Sequence, residues 1–147
     1  VLALDVVEHL EDDIRALIEC RRILKLGGLL IVTVPAFMAL WSPWDESLGH
    51  KRRYTLGQLA VALQKAGLSV KKSSYIYFFV FPIAVLIRSV KRLIEKDPRS
   101  YSSDFIRIPK ILNNLLLQVG RLEQWAIAKL HLRFPFGLSV ISVAVKE

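Results

Sequence analysis

The 147-residue sequence holds a single cysteine, Cys20, and a single methionine, Met38. One thiol excludes an internal disulfide framework and suits a reducing compartment, so the expected location is the cytoplasm. There is no Gly-rich phosphate loop, no paired-cysteine motif and no nucleophile elbow, and the chemistries that depend on them drop out. A long hydrophobic run is missing too. The longest, residues 75–87, contains Pro82 and is followed by Arg88, far short of the roughly 20 apolar residues a spanning helix requires. The chain opens on Val1-Leu2-Ala3-Leu4 without an initiator methionine, a basic segment before it or a small-residue cleavage signal. It is therefore read as a piece of a larger domain and not as a secretory signal.

What is present is a foldable composition, 53% hydrophobic and 23% charged, with a net charge of +8. The charge is uneven: residues 1–50 carry 4 basic and 8 acidic side chains, whereas residues 51–147 carry 17 basic and 5 acidic. An anionic partner would meet the second part.

Residues 1–7 read as a strand buried on both faces, since nearly all are apolar. Glu11, Asp12 and Asp13 then favour a helix N-terminus, with Ile14, Leu17, Ile18 and Leu24 as its stripe and Gly27-Gly28 as its stop. Leu29 to Val34 forms a second apolar run closed by Pro35. This order predicts a right-handed βαβ unit with parallel strands. A long connection covers residues 36–54, after which Thr55 and Gln58 match a capping box and Leu59, Leu63 and Ala66 continue a helix to Gly67. Residues 68–79 begin as a strand. Ile83, Leu86, Ile87, Val90, Leu93 and Ile94 predict a basic amphipathic helix, with Arg88, Lys91, Arg92 and Glu95 opposite. Residues 97–105 are polar and mark an insertion boundary. Ile108, Ile111, Leu112, Leu115, Leu116, Val119, Leu122 and Ala126 predict another such helix. Residues 137–145 read as a closing antiparallel strand slotted into an otherwise parallel sheet.

Two constellations carry chemistry. The first strand exits at Asp5, Val6, Glu8 and His9, and a helical turn there would set Asp5, Glu8 and His9 at i, i+3 and i+4. Such a group could position a hydroxyl, act as a base or hold a cation. The plainer reading joins Glu8 to Glu11, Asp12 and Asp13 as helix-terminal charge, and no metal is assigned. The second constellation is Trp41, Trp44, Asp45, His50, Lys51, Arg52, Arg53 and Tyr54. Its aromatics offer stacking and cation–π surfaces, and Arg52 and Arg53 could grip a carboxylate or phosphate with two hydrogen bonds. Cys20 and His131 read as packing and surface residues.

The strings Leu4-Asp5-Val6-Val7-Glu8-His9-Leu10-Glu11-Asp12-Asp13 and Arg22-Ile23-Leu24-Lys25-Leu26-Gly27-Gly28-Leu29-Leu30-Ile31-Val32-Thr33-Val34-Pro35 resemble the second half of a class I S-adenosylmethionine-dependent methyltransferase. His50-Lys51-Arg52-Arg53-Tyr54-Thr55, Ala66-Gly67-Leu68 and Pro135-Phe136-Gly137-Leu138-Ser139 are similar to one bacterial branch of that superfamily. The resemblance implies an α/β fold: part of a Rossmann-like methyltransferase sheet, mostly parallel with the last strand antiparallel, and helices on both faces. This chain would supply its fourth to seventh strands, as residues 1–147 of one domain with a helical apolar insertion around 80–130. The family's Gly-rich loop and acidic ribose ligand have no counterpart here, so the isolated chain is expected to bind the cofactor poorly and not to catalyse.

The resemblance further implies that S-adenosylmethionine is the cofactor, with Asp5, Val6 and Glu8 lining its pocket. Trp41, Trp44, Arg52, Arg53 and Tyr54 would lie over a small or lipid-linked methyl acceptor, with His9 and then His50 as the base. The apolar segment 76–130 could form a lid, lie on the inner face of the membrane as a peripheral contact, or pack as two helices against the sheet. The rival expectation is a non-catalytic basic module for anionic membrane or nucleic acid. The scattered cations speak against nucleic acid.

Overall fold

The computed structural model describes residues 1–94 and 109–147. Its sheet starts from the two apolar runs: β1 (Leu2–Leu4) and β2 (Leu29–Pro35) pair in parallel, with Leu2 opposite Ile31 and Leu4 opposite Thr33. Between them lies α1 (Asp13–Ile23), whose cap Asp12 accepts the Arg15 backbone N–H at 2.9 Å. The helix stops short of the predicted Gly27-Gly28. Leu24 turns extended and is buried, so its side chain draws the backbone out of the helix and into the core. Ile18 stays 45% exposed, which leaves Ile14, Leu17 and Leu24 as the packed stripe.

The connection over residues 36–54 contains a 3-10 turn at Met38–Leu40 and a short helix, α2 (Pro43–Ser47). Next come α3 (Leu56–Lys65) and β3 (Ser69–Ile76). The capping box is made as the sequence predicts: Thr55 Oγ1 accepts from the Gln58 backbone and Gln58 Oε1 from the Thr55 backbone. The left-handed φ of +77° at Gly67 ends that helical stretch, and its carbonyl accepts from Arg21 Nε at 2.8 Å, which ties α1 to α3.

The last strand, β4 (Ser139–Val145), inserts between β2 and β3 and runs antiparallel to both, giving the order β1-β2-β4-β3. This is the mixed sheet the sequence predicts, three strands one way and the closing strand the other. Ahead of β4 the chain presses against β3: a Cβ on Gly137 would lie 2.2 Å from the Ile76 carbonyl oxygen, a space only glycine fits. One face of the sheet, with Ala3, Leu30, Val32, Val34, Val140 and Ala144, packs on Leu17 of α1 and Leu59, Ala62 and Leu63 of α3. Each fully buried leucine there contributes about 1.5–3 kcal/mol.

The expected strand over residues 1–7, covered on both faces, is corrected. Only Leu2–Leu4 is strand, Ala3 is the one buried residue of that strand, and Leu2 is 66% exposed. Asp5 turns left-handed (φ +51°) and a 3-10 turn follows at Val7–His9. As the edge strand, β1 has one neighbour among the described residues, and the face bearing Leu2 and Leu4 lacks a covering helix there.

Beyond β3 come α4 (Phe81–Ile94) and α5 (Lys110–Lys129). The apolar stripes expected on them are largely in solvent: Ile83, Leu86, Ile111, Leu115 and Leu122 are all exposed. A buried carboxylate secures α5, because Glu123 accepts the backbone N–H of Tyr77 and, at 2.9 Å, that of Phe78. The polar stretch 97–105 and Ile108 lie outside the described residues. No described helix is long and apolar enough to cross a membrane.

Candidate active site

The two parallel strands β1 and β2 leave the sheet on the same side, and both exits bend sharply. Asp5 and Phe37 take left-handed φ values of +51° and +56°, which non-glycine residues adopt rarely and which gather at functional sites. The Asp5 backbone donates to the Thr33 carbonyl at 3.0 Å, and Thr33 Oγ1 donates to Asp5 Oδ1 at 3.2 Å. The turn at Val7–His9 then drives Glu8 inward until it is 0% exposed.

The connection over residues 36–54 folds back onto this turn. The Lys51 backbone N–H donates to the Glu8 carbonyl at 2.8 Å, so His50 arrives beside His9. Their rings meet edge to face, centroids 4.8 Å apart and planes at 74°. One ligating atom from each of Glu8, His9 and His50 lies within 4.8 Å of the other two. The helical convergence of Asp5 with Glu8 and His9 does not form, since the 3-10 turn replaces the expected α-turn and His50 takes that place.

His50 is held from behind. Its Nδ1 is 2.8 Å from Oδ1 of Asp45, a fully buried carboxylate. The short helix α2 places Asp45 where it also accepts the Ser42 backbone N–H at 2.9 Å and the Ser42 hydroxyl at 3.1 Å. Arg53 closes the arrangement, donating from Nε at 2.8 Å and Nη2 at 3.0 Å to the two Asp45 oxygens and from Nη1 at 3.0 Å to the Ala36 carbonyl. Burial pushes the Asp45 carboxyl up, but the His50 hydrogen bond, the Arg53 charge and the Ser42 amide outweigh it and hold the group below the usual carboxylate range. Glu8 goes the other way. Desolvation raises its pKa to about 7, with Asp5 adding to it, against the opposing pull of its own backbone N–H and, less, of Arg53.

Asp5, Glu8, Trp44, His50, Arg53 and Arg88 line a crevice of about 280 Å³. Beside it runs an apolar groove of about 370 Å³ with Phe37, Leu40, Phe81 and Val85, and Arg88 lines both. Arg88 Nη1 donates to the Leu40 carbonyl at 2.8 Å. The sequence gives no special signal for Arg88, which reads there as the polar side of an amphipathic helix. Asp45 had a clearer one: Ser42-Pro43 with an acid three residues after the serine is a helix-start signature inside what reads as a loop.

The remaining sequence-predicted residues are placed differently. Val6 is 46% exposed on the rim of the turn. Trp41 Nε1 donates to Glu46 Oε1 at 3.3 Å. Arg52 binds the protein itself: Nη2 donates to the Leu10 and Glu11 carbonyls at 3.1 and 2.7 Å, and Nη1 pairs with Asp13 Oδ1 at 2.9 Å. The Tyr54 hydroxyl donates to Asp13 Oδ2 at 2.7 Å, and burial together with that acid raises its pKa. Arg52 and Tyr54 thus border an outer cleft of about 620 Å³ with residues of α1 and α3, apart from Glu8 and His50. The two-pronged grip expected of Arg52 and Arg53 is made on the protein's own carboxylates and carbonyls.

No protein-family model matches the sequence, and no curated protein matches it. Solved structures do. A chain of the complex between the Haloferax volcanii Trm112 methyltransferase activator and a methyltransferase superposes with a TM-score of 0.54 at 19% identity, over 99% of this chain and 53% of its own. Haemonchus contortus phosphoethanolamine N-methyltransferase 2, in complex with S-adenosyl-L-methionine, gives 0.51 at 15% identity, over 99% of this chain and 32% of its own. A SAM-dependent methyltransferase from Thermotoga maritima gives 0.50 at 19% identity, over 99% and 54%. The chain has a class I methyltransferase-like fold.

It spans between a third and about half of the length of those solved chains. In this methyltransferase-like sheet the Glu8–His50 crevice stands outside the carboxyl ends of β1 and β2, where ligands of open α/β sheets gather. Asp5 and Val6 are exposed at the open edge beside β1. Among the described residues there is no glycine-rich turn between a strand and a helix.

Proposed function

We propose that the intact protein carries out S-adenosylmethionine-dependent methyl transfer to a small or lipid-linked acceptor bound in the crevice between Glu8 and Arg88. The observation that supports this most is the Glu8–His9–His50 cluster, set at the carboxyl ends of the parallel strands of a methyltransferase-like sheet. Bound along Asp5, Val6 and Glu8, S-adenosylmethionine would supply an electrophilic methyl group on its sulfonium sulfur for in-line transfer to the acceptor, the thioether leaving with the carbon–sulfur electron pair.

The chain's own residues align and shield the acceptor. Asp5, Val6 and Glu8 form the wall on the donor side. Asp45 is ionised and can only accept, so His50 Nδ1 carries the N–H toward it, and in the neutral ring Nε2 keeps the lone pair. His50 and His9 are the groups that handle the acceptor proton. Trp44 and Leu48 close one side of the crevice to water. Arg53 positions His50 through Asp45, and Arg52 and Tyr54 hold the returning segment against α1.

Lipid-linked acceptors are favoured by the pairing of a polar crevice with an apolar groove across Arg88, which suits a polar head and an apolar tail. Exposed Ile83, Leu86, Ile111, Leu115 and Trp125 on α4 and α5 are interspersed with Lys110, Arg121 and Lys129. That combination supports a peripheral contact of these helices with an anionic membrane surface.

The test incubates the intact protein with methyl-labelled S-adenosylmethionine and a panel of amine, phenol, carboxylate and lipid-linked acceptors. Labelled product with stoichiometric S-adenosylhomocysteine is expected. Donor binding with every acceptor inert overturns the transfer, and no donor binding overturns the cofactor.

A further inference from the structure

We propose that Glu8, His9 and His50 bind one divalent transition-metal ion, of the Zn²⁺ or Mn²⁺ kind, at the floor of the crevice. The inference goes beyond the methyl-transfer reading and stands on the three side chains alone; an ion there would occupy the lone pairs of His9 and His50, so the base role given to them holds for the metal-free protein.

The first reason is Glu8. Its side chain is fully buried, yet neither carboxylate oxygen has a hydrogen-bond partner among the described residues. A buried carboxylate left so is expensive, and native structures retain few of them without a proton, a cation or a ligand to answer for them. Arg53, whose charge acts on Glu8, directs its guanidinium to Asp45 and Ala36.

The second reason is convergence. Two imidazoles from different segments reach the same point as that carboxylate, each offering an atom within 4.8 Å of the others. Ligand bonds of about 2.0–2.2 Å would set the three atoms about 3–3.5 Å apart, so binding an ion draws the widest pair together by about 1.3–1.8 Å. The tie between Lys51 N–H and the Glu8 carbonyl fixes the two segments relative to each other.

The third reason is the support behind His50. A metal-bound histidine donates its other ring N–H to a carboxylate or carbonyl, which sets the tautomer and the ring plane. Asp45 meets that description at 2.8 Å, and Arg53 keeps it ionised.

Donor chemistry selects the class of ion. Two imidazoles and one carboxylate suit zinc, manganese or ferrous iron and not magnesium or calcium, which take mostly oxygen ligands. Three protein ligands leave coordination positions open toward the crevice, where an acceptor heteroatom or water would sit. The sequence assigns no metal, because three ligand types in a row such as Asp5, Glu8 and His9 are common by chance.

The test strips the intact protein with a chelator and titrates it with MnCl₂ and with ZnCl₂ alone, with no methyl donor or acceptor present. Calorimetry should give one equivalent for at least one ion, and Mn²⁺ should broaden the imidazole resonances of His9 and His50 before that of His131. Glu8→Gln, which keeps the shape and removes a buried charge, and His50→Ala should each weaken binding at least tenfold, while His131→Gln leaves it unchanged. No stoichiometric binding of either ion, or equal affinity in Glu8→Gln, overturns the site. A protein that binds the ion but transfers no methyl group counts against the functional reading only.

Discussion

The imidazoles of His9 and His50 meet edge to face at 4.8 Å, although one belongs to the exit of β1 and the other to the segment returning from β2. That contact depends on the returning segment being fixed, and Asp45 with Arg53 fixes it. His9, His50, Asp45 and Arg53 form one chain of contacts.

Removing Arg53 leaves Asp45 as a buried charge with only its Ser42 and His50 partners. Arg53→Met is expected to destabilise the protein by about 3–5 kcal/mol, the usual result of breaking a buried ion pair from one side. Arg53→Lys should recover only part of this, since an ammonium cannot span both carboxylate oxygens. Denaturant midpoints measure both, and a loss below about 1 kcal/mol for Arg53→Met would contradict the role assigned here.

Glu8 acts on stability in the opposite sense. Its pKa rises from 4.5 to about 7 on folding, so the folded state holds the proton more tightly than the unfolded one. That contribution is fully present below about pH 4.5 and is lost as the pH rises through about 7, costing up to about 3 kcal/mol in chelated buffer. Glu8→Gln should flatten this fall and be the more stable protein at pH 8. Unfolding measured at pH 5 and pH 8 checks it, and a wild type more stable at pH 8 relative to Glu8→Gln gives the opposite sign.

On the outer surface, α4 and α5 provide a separate check. The intact protein is expected to co-sediment with vesicles containing anionic lipid, less so as salt rises. Replacing Leu115, Leu122 and Trp125 with serine should reduce pelleting several-fold without changing the denaturation midpoint, since all three are more than half exposed. Absence of pelleting, or pelleting unchanged by the substitutions, removes the membrane contact.

Much of the frame was legible in the residues. Gly and Pro positions bounded β2, Thr55 and Gln58 declared the start of α3, and the alternating end of the chain marked β4 as the inserted antiparallel strand. Local signals decide such features, so a sequence displays them. The first strand misled for the converse reason: its run of apolar residues matches a buried parallel strand, but burial depends on what lies beside it, and Leu2 and Leu4 face outward here. The site was half legible. Glu8, His9, His50 and the arginines were singled out, whereas their partners depended on how residues 36–54 fold back, which no spacing encodes. Arg52 and Arg53 look in sequence like a ligand clamp because guanidinium groups bind carboxylates. Asp13 and Asp45 happen to be the carboxylates in reach.

The central claim, that the crevice at Glu8, His9 and His50 is where a methyl acceptor is activated, is tested most directly by His50→Ala in the intact protein, with donor affinity and turnover measured side by side. The expected result is unchanged S-adenosylmethionine binding with S-adenosylhomocysteine formation reduced about 10²- to 10⁴-fold. Full turnover in His50→Ala would contradict it.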